Sequence, residues 1–427
     1  MATNATSIAK TYLESLAEEL EISDTRYEQA QESYASLGRW LSRPASTLRD
    51  YDPAVYVQGS FGLGTVIKPL HAEEEYDVDA VCELKALNKA QLSQETLKTM
   101  VGAEIESYRR SQAMTKPLRE GRRCWTLNYA DGAQFHMDVV PALPNARDVR
   151  ILLDSKGLDS TRVATAIAIT DNERFGYANI SDDWPRSNPK GYLEWFKSRM
   201  RVILEKRRRA MADAAKASVE AIPDYKVRTP LQSSIMILKR HRDIMFVKDE
   251  LNTCPISIII TTLAAHSYRG EEEIADALLS ILTGMEAHIA RDARGRAIIA
   301  NPSDPLENFA DKWSIIEGRP STATLLERWR LRQVSQFAWE RVDRGPWKTP
   351  SEMLRNWNAI VKRCGIERCV PYALRHSSIV RGLVAGQPIR MVAAAHDTSV
   401  AMIEKHYARY IIDAHEELRA KSVIRLA

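Results

Sequence analysis

Three aspartates carry the clearest chemical signal in this chain. Asp77 and Asp79 lie two apart in Tyr76-Asp77-Val78-Asp79-Ala80-Val81, and Asp138 lies in Phe135-His136-Met137-Asp138-Val139-Val140. Alternate side chains of an extended strand point to one side, so Asp77 and Asp79 project together. In the second segment Phe135, Met137 and Val139 share one face, and His136 and Asp138 share the other. Neighbouring carboxylates repel unless a cation stands between them, and hard divalent ions prefer oxygen ligands. Three strand-borne carboxylates form the set needed for two such ions, one binding a triphosphate and one activating a hydroxyl for in-line phosphoryl transfer. Upstream, Val57-Gln58-Gly59-Ser60-Phe61-Gly62 supplies a glycine that lets backbone approach a phosphate and a serine that adds a hydroxyl donor. Taken singly, Asp-x-Asp is a solvated strand face and Gly-Ser a turn. The order Gly-Ser, Asp-x-Asp, then a later strand aspartate makes the catalytic reading the better one.

The elements that must hold these residues are legible as patterns. Strands are expected at Ala54 to Val57, Tyr76 to Leu84, Cys124 to Tyr129 and Gln134 to Val140, the last two joined through the hairpin signal Ala130-Asp131-Gly132-Ala133. Before them, Ile8, Tyr12, Leu16 and Leu20 recur at helical spacing, and a second helical run ends at Leu41 to Pro44. From about Gly191 the pattern turns helical, with a Lys/Arg-rich stretch at Lys206 to Arg209 and further helices near Pro230 to Phe246 and Pro255 to Tyr268. Strands first and helices after imply an α+β fold with a small sheet and a helical lobe.

Composition narrows the class. The chain has 427 residues, 44% hydrophobic and 27% charged, with only 18 Gly and 18 Pro, which argues against fibrous or largely disordered material. No apolar stretch reaches the roughly 20 residues of a membrane helix, and the first residues lack a signal pattern. With five scattered cysteines, a cytoplasmic protein with no membrane partner is expected. The formal net charge of +4 is uneven: from Ser314 onward 19 Lys and Arg face 11 Asp and Glu, whereas the earlier residues carry 41 against 45. This step, with Gly318 and Pro320, marks an expected boundary near Trp313 to Pro320.

The aspartates and the Gly-Ser segment resemble the nucleotidyltransferase superfamily with a polymerase-β-like palm. More closely, the chain resembles the bacterial relatives of cyclic GMP-AMP synthase, the CD-NTases. Arg228-Thr229-Pro230-Leu231-Gln232 running into Leu238-Lys239-Arg240-His241-Arg242-Asp243 is similar to that family's helical lobe. So are Pro255 to Ala265, Asn301-Pro302, and Asn308-Phe309-Ala310-Asp311-Lys312-Trp313. The resemblance covers residues 1 to 313. It implies a palm with N-terminal helices over 1–190 and a helical lobe over 191–313. Asp77, Asp79 and Asp138 would hold two Mg²⁺ (Mn²⁺ being an alternative) and catalyse, with Gly59 and Ser60 cradling the triphosphate. Lys239 and Ser257 would reach phosphate from the lobe. Tyr268 is open between stacking on a base and packing, the second being the commoner use. The implied reaction condenses NTPs, with release of pyrophosphate, into a cyclic or short linear second messenger. A role in anti-phage signalling, a regulatory protein partner and a nucleotide-sensing effector would accompany it. The alternatives are nucleotide transfer to an RNA or protein acceptor, or a DNA-binding, recombinase-derived protein. Sixteen residues, including Glu73-Glu74-Glu75, separate Ser60 from Asp77, a longer spacing than many nucleotidyltransferases have.

Residues 314–427 read as an all-α basic tail with a different resemblance. Pro371-Tyr372-Ala373-Leu374-Arg375-His376, Ala395-His396-Asp397 and Glu404-Lys405-His406-Tyr407 resemble the C-terminal half of a tyrosine recombinase of the phage integrase family. The resemblance implies a phosphate clamp at Arg375, an assisting His396 and a nucleophile at Tyr407. The first catalytic arginine and the hairpin lysine of that family have no counterpart here. A vestigial segment fused to the nucleotidyltransferase is therefore expected, with DNA contact through its +8 charge as a lesser role.

Overall fold

The computed structural model describes residues 2–70, 74–129, 135–215, 218–219, 226–246 and 254–311, and toward the C-terminus 379–380, 383, 389–395 and 399–406. It divides into two compact units, one of Leu13–Leu326 and one of Met1–Tyr12 with Glu327–Ala427. The fold of the larger unit is α+β. Arg375, His396 and Tyr407 lie outside the described residues, as does the Asp-Gly turn at 131–132. In the second unit a short helix spans Ile389–Ala395, and Ile379, Leu383, Val392, Ala393 and Ile403 form a small apolar cluster.

The N-terminal helical periodicity resolves into α1 (Ala2–Leu20) and α2 (Asp24–Leu41). Ser23 caps α2 by accepting from Arg26 N–H at 3.4 Å. The sheet comprises β1 (Pro53–Val57), β2 (Tyr76–Leu84), β3 (Arg119–Glu120), β4 (Trp125–Tyr129), β5 (Phe135–Pro144), β6 (Ile167–Ile169) and β7 (Arg186–Ser187). Its main path runs β1-β2-β5-β4-β3, and β6 pairs with both β5 and β7. β1 and β2 are antiparallel, as are β4 and β5, whose register pairs Tyr129 with Phe135 as a hairpin requires. Parallel pairing joins β2 to β5, from Tyr76 opposite Phe135 to Glu83 opposite Ala142. Every strand expected from the sequence is present, within a few residues at its ends. The short strands β3, β6 and β7 and the helix α4 (Gln94–Ser111) are additions to those expectations.

The alternation in β2 and β5 separates two faces. Val78, Ala80, Cys82 and Leu84 of β2, with Phe135, Met137 and Val139 of β5, are buried against α2 and α4 through Leu37, Leu41, Leu97, Val101 and Ile105. On the opposite face Val81, Ala142, Ile167 and Ile169 form a smaller cluster. Toward the start of β2 that second face is left to Asp77 and Asp79. Beyond the sheet come α5 (Ala146–Ser155), α6 (Pro189–Ala215), α7 (Pro230–Met245), α8 (Ser257–Ser267) and α9 (Ile274–Gly284). Four short strands follow: β8 (Ala290–Arg291), β9 (Ala297–Ile298), β10 (Ala300–Asn301) and β11 (Asp304–Asn308). α7 starts where its sequence says it should. Thr229 caps it, Pro230 occupies the first turn, and Gln232 returns a side-chain contact to the cap backbone, completing a capping box.

A buried ion group ties the sheet to α4. Asp171, fully buried, accepts from Arg122 Nε at 2.7 Å and Arg123 Nε at 3.0 Å, and its own N–H donates to Gln94 Oε1 at 2.9 Å. Burial alone would raise the pKa of Asp171, but the two guanidiniums and the Glu173 N–H outweigh it and bring it to about 2. A carboxyl depressed in the folded state stabilises the fold above its unfolded value, near 4, and loses that stabilisation as pH falls through the folded value. Asp171→Asn is therefore expected to cost about 2–3 kcal/mol in denaturant unfolding at pH 7. The gap between the two proteins should narrow as pH falls from about 4 toward 2; an equal gap at both ends of that range would contradict the assignment.

Candidate active site

The parallel register of β2 and β5 sets Asp79 directly opposite Asp138 and Asp77 opposite His136. All three aspartates thus occupy one face of two adjacent strands, as the sequence alternation requires. Each is oriented differently. Asp77 is largely exposed, and His136 Nε2 lies 2.8 Å from its Oδ1. His136 Nδ1 stands 3.5 Å from Glu75, which accepts from Lys116 Nζ at 2.8 Å. Asp138 accepts from Thr126 Oγ1 at 2.6 Å, the residue opposite it on β4. Asp79 and Asp138 are both half-buried.

Electrostatics follow from that placement. Burial, then the charges of Asp77 and Asp138, push Asp79 up to about 6, against the pull of His136 and Lys239. The hydrogen bond from His136 holds Asp77 below the ordinary carboxylate value, and the same bond raises His136. Among the described residues no three His, Cys, Asp or Glu side chains form a ready-made metal cluster. Asp77 faces His136, so a cation shared by all three aspartates requires a change of its rotamer. The donor set nevertheless suits a hard divalent ion: three carboxylates crowded on two strands, one of them resisting ionisation because burial and the other two outweigh the nearby cations.

Gly59 and Ser60 are not in a free turn. They open a short helix, α3 (Gly59–Leu63), which follows β1 after Gln58. Gln58 N–H donates to Asp79 O at 2.8 Å, fixing the start of α3 over the centre of β2. Gly59 has φ +59°, and a Cβ there would fall inside van der Waals contact of Asp79 Oδ2. The backbone of the Gly-Ser segment thus touches the central carboxylate. The first N–H groups of a helix have no intrahelical acceptor, which leaves them for a ligand.

α7 holds this segment from behind. Gln232 Nε2 donates to Leu63 O at 2.9 Å, and Lys239 Nζ donates to Thr65 O at 2.8 Å. Gly64, with φ +65°, fits here because a Cβ would come within 2.6 Å of Gln232 Nε2. Lys239 is buried, which pulls its pKa down to about 8; Arg242 adds to this, while Asp243, Asp79 and Asp77 oppose it. The structure therefore places Lys239 within electrostatic reach of the aspartates, with its ammonium bonded to the loop backbone. Ser257 is the first residue of α8 and accepts from Arg242 Nη1 at 2.9 Å. Tyr268 is buried, and its hydroxyl donates to Glu271 O at 2.7 Å, so it packs.

Two groupings have no site role assigned from the sequence. His136 was placed on the Asp138 face without a role; its signal was its register opposite Asp77. The other group lines a cleft of about 230 Å³ that has Asp79, Gln58 and Gly59 on one side and Asn188, Tyr192, Ile258, Asn301, Glu307 and Phe309 among its other walls. Local spacing does not join those residues to one another or to Asp79, since they come from separate stretches of the chain around 188–192, 258 and 301–309.

Carboxylates in register on two strands, a backbone segment abutting one of them and an adjoining cleft define a nucleotidyltransferase. Residues 53–141 match the nucleotidyltransferase domain described as cyclic GMP-AMP synthase DncV-like. A c-di-GMP synthase of Roseivirga ehrenbergii is 31% identical over 316 residues, covering 72% of this chain and 75% of that protein. The cyclic dinucleotide synthase CdnG of Bradyrhizobium diazoefficiens is 27% identical over 315 residues, 70% of this chain and 69% of that one. The solved structure of the B. diazoefficiens CD-NTase CdnG with GTP superposes with a TM-score of 0.54 at 22% identity, covering 76% of this chain and 89% of that one. The chain belongs to the CD-NTase family.

Because Gly59 touches Asp79, Gly59→Ala should act on catalysis more than on folding. We expect kcat/KM for nucleotide consumption to fall by about 100-fold or more, with a melting temperature within a few degrees of the parent. Unimpaired turnover would show that the contact does not position Asp79.

Proposed function

We propose that this enzyme joins two nucleoside triphosphates into a cyclic dinucleotide, releasing one pyrophosphate at each bond, and that guanine nucleotides are its substrates. The observation that carries the reading is the register of Asp79 with Asp138 beneath the backbone of Gly59. The names of the two relatives support a cyclic product, and the c-di-GMP synthase supports guanine.

In this reading Asp77, Asp79 and Asp138 hold divalent cations, Mg²⁺ or Mn²⁺, which would lower the charge on the triphosphate and the pKa of the attacking 3′-hydroxyl. The chain's own groups do the rest. The N–H groups of Gly59 and Ser60 and the Ser60 hydroxyl orient the phosphates, aligning the α-phosphorus with the hydroxyl. The 3′-hydroxyl gives up its proton to solvent, its oxygen attacks the α-phosphorus to form the phosphodiester, the bond from that phosphorus to the α,β-bridging oxygen breaks, and pyrophosphate leaves with that electron pair. Thr126 fixes the rotamer of Asp138, while Asp77 would exchange its contact with His136 for the cations. Lys239 acts by holding the loop carbonyl and by adding positive potential behind the phosphates. Ser257 stands with Arg242 at the start of α8, where it can meet a triphosphate tail. The palm would span 1–190 and the helical lobe 191–313.

The product would act as a second messenger for a nucleotide-sensing effector, in anti-phage signalling and with a regulatory protein partner. The tail over 314–427 is read as a remnant of a recombinase, its Arg375, His396 and Tyr407 having no part in nucleotide synthesis and its basic charge at most assisting DNA contact.

The test is to incubate the full chain with all four NTPs and Mg²⁺ and to analyse the products by mass spectrometry. Cyclic dinucleotide is expected, with Asp77→Ala and Asp79→Ala each lowering its formation by at least about 1,000-fold. Label transferred instead to added RNA or protein would refute the reading. Tyr407→Phe is expected to leave the rate of nucleotide synthesis within about two-fold of the parent, the range of a residue uninvolved in the reaction; a covalent DNA adduct on Tyr407 would overturn the view of the tail as a remnant.

A further inference from the structure

The cleft beside Asp79 is also lined by polar residues that the reaction chemistry does not use, Asn301 and Glu307. Asn301 ends β10 and Glu307 lies in β11, the strand paired with it. Asn301 is buried, and both of its side-chain functions are committed. Its Oδ1 accepts from Ser303 N–H at 2.8 Å and Ser303 Oγ at 2.9 Å, and its Nδ2 donates to Glu307 Oε2 at 2.7 Å. The amide is thereby fixed with its NH₂ toward the carboxylate. Glu307 Oε1 makes no hydrogen bond among the described residues, and Glu307 lines the cleft. The nearby cations are engaged elsewhere. Arg186 donates to Asp304 Oδ2 at 2.9 Å and Arg123 donates to Asp171, so each acts on Glu307 only through its field. Phe309 and Tyr192 meet edge to face, with centroids 6.1 Å apart, and both line the same cleft.

We propose that Glu307, braced by Asn301, is the residue that selects guanine at this site, accepting from the N1–H and the 2-amino group of the base. The proposal rests on the nucleotidyltransferase reading above and deepens it. A carboxylate is an acceptor only, and one withdrawn from water needs donors. On the pairing edge of the common bases, guanine alone presents two adjacent donors. Adenine and cytosine set a lone-pair nitrogen beside their amino group, and uracil flanks its single N–H with two carbonyls; each would turn an acceptor toward Glu307. The same cleft is lined by this carboxylate and by Asp79 with Gly59, so a nucleotide with its phosphates at the metal carboxylates would have its base in the cleft that Glu307 lines. A site built to bond particular donors discriminates strongly against a ligand lacking them.

Inosine triphosphate separates this role from a purely structural one, because it keeps N1–H and lacks the 2-amino group. The full chain is titrated calorimetrically with GTP, ITP and ATP in Mg²⁺, and incorporation from equimolar pairs is followed by mass spectrometry. GTP is expected to bind and to be incorporated about 10-fold better than ITP, and better still than ATP. In Glu307→Gln the GTP advantage over ITP should shrink to about two-fold while the melting temperature holds. Equal binding of GTP and ITP by the unmodified chain, a preference for ATP, or an unchanged GTP-to-ITP ratio in the variant would each overturn the proposal. The two readings fail separately. Selective GTP binding without cyclic product refutes the reaction and leaves the base assignment standing; cyclic product containing guanine and hypoxanthine alike does the reverse. A chain that binds none of the three loses both.

Discussion

The parallel pairing of β2 with β5 is the constraint on which the site depends. Its register runs from Tyr76 opposite Phe135 to Glu83 opposite Ala142 and fixes Asp79 against Asp138. What holds that register is the apolar face of the same strands: Val78, Ala80 and Cys82 with Phe135, Met137 and Val139 pack against α2 and α4. Side chains alternate with period two, so a slip of one residue would drive Asp77 and Asp79 into that core and expose its valines. The hydrophobic effect therefore enforces a geometry whose purpose is polar. The aspartates need no attraction of their own to be neighbours, and they have none.

Their proximity is a local conflict that the surroundings only partly relieve. Asp79 resists ionisation because it is buried beside two other carboxylates. His136 compensates Asp77, and Lys239, itself depressed by burial, adds a distant positive charge. Elsewhere the same fold resolves its buried charge fully, as at Asp171 with two arginines. The contrast is physically meaningful: Asp171 receives fixed cations, while the aspartates of β2 and β5 keep an unbalanced negative charge that favours binding a soluble one.

Much of this was legible in the sequence, for identifiable reasons. Tyr76–Leu84 and the stretch from Phe135 alternate cleanly, so strand, face and the three aspartates could be read together. α7 announced itself through Thr229, Pro230 and Gln232, whose capping chemistry is local. What could not be read depends on contacts distant in the chain. Gly59 and Ser60 looked like a turn, yet Gln58 anchors them to Asp79 as the start of a helix. Lys239 looked like a direct phosphate ligand, and its bond to Thr65 O joins residues 174 apart in sequence. Asn301 drew notice only as part of a resemblance and Glu307 not at all; their meeting across the β10–β11 pair beside the cleft has no spacing signature.

The grip of α7 on the segment after α3 has a further consequence. Gln232 and Lys239 both end on main-chain oxygens, those of Leu63 and Thr65. Neither bond consults the side chain of the residue it holds. Substitutions at 63 and 65 that fit the local space would leave this linkage in place, whereas loss of either donor on α7 removes it at once. The attachment is therefore asymmetric in its tolerance to mutation: the segment after α3 can drift through neutral change, and the helix behind it carries the memory of where that segment must lie.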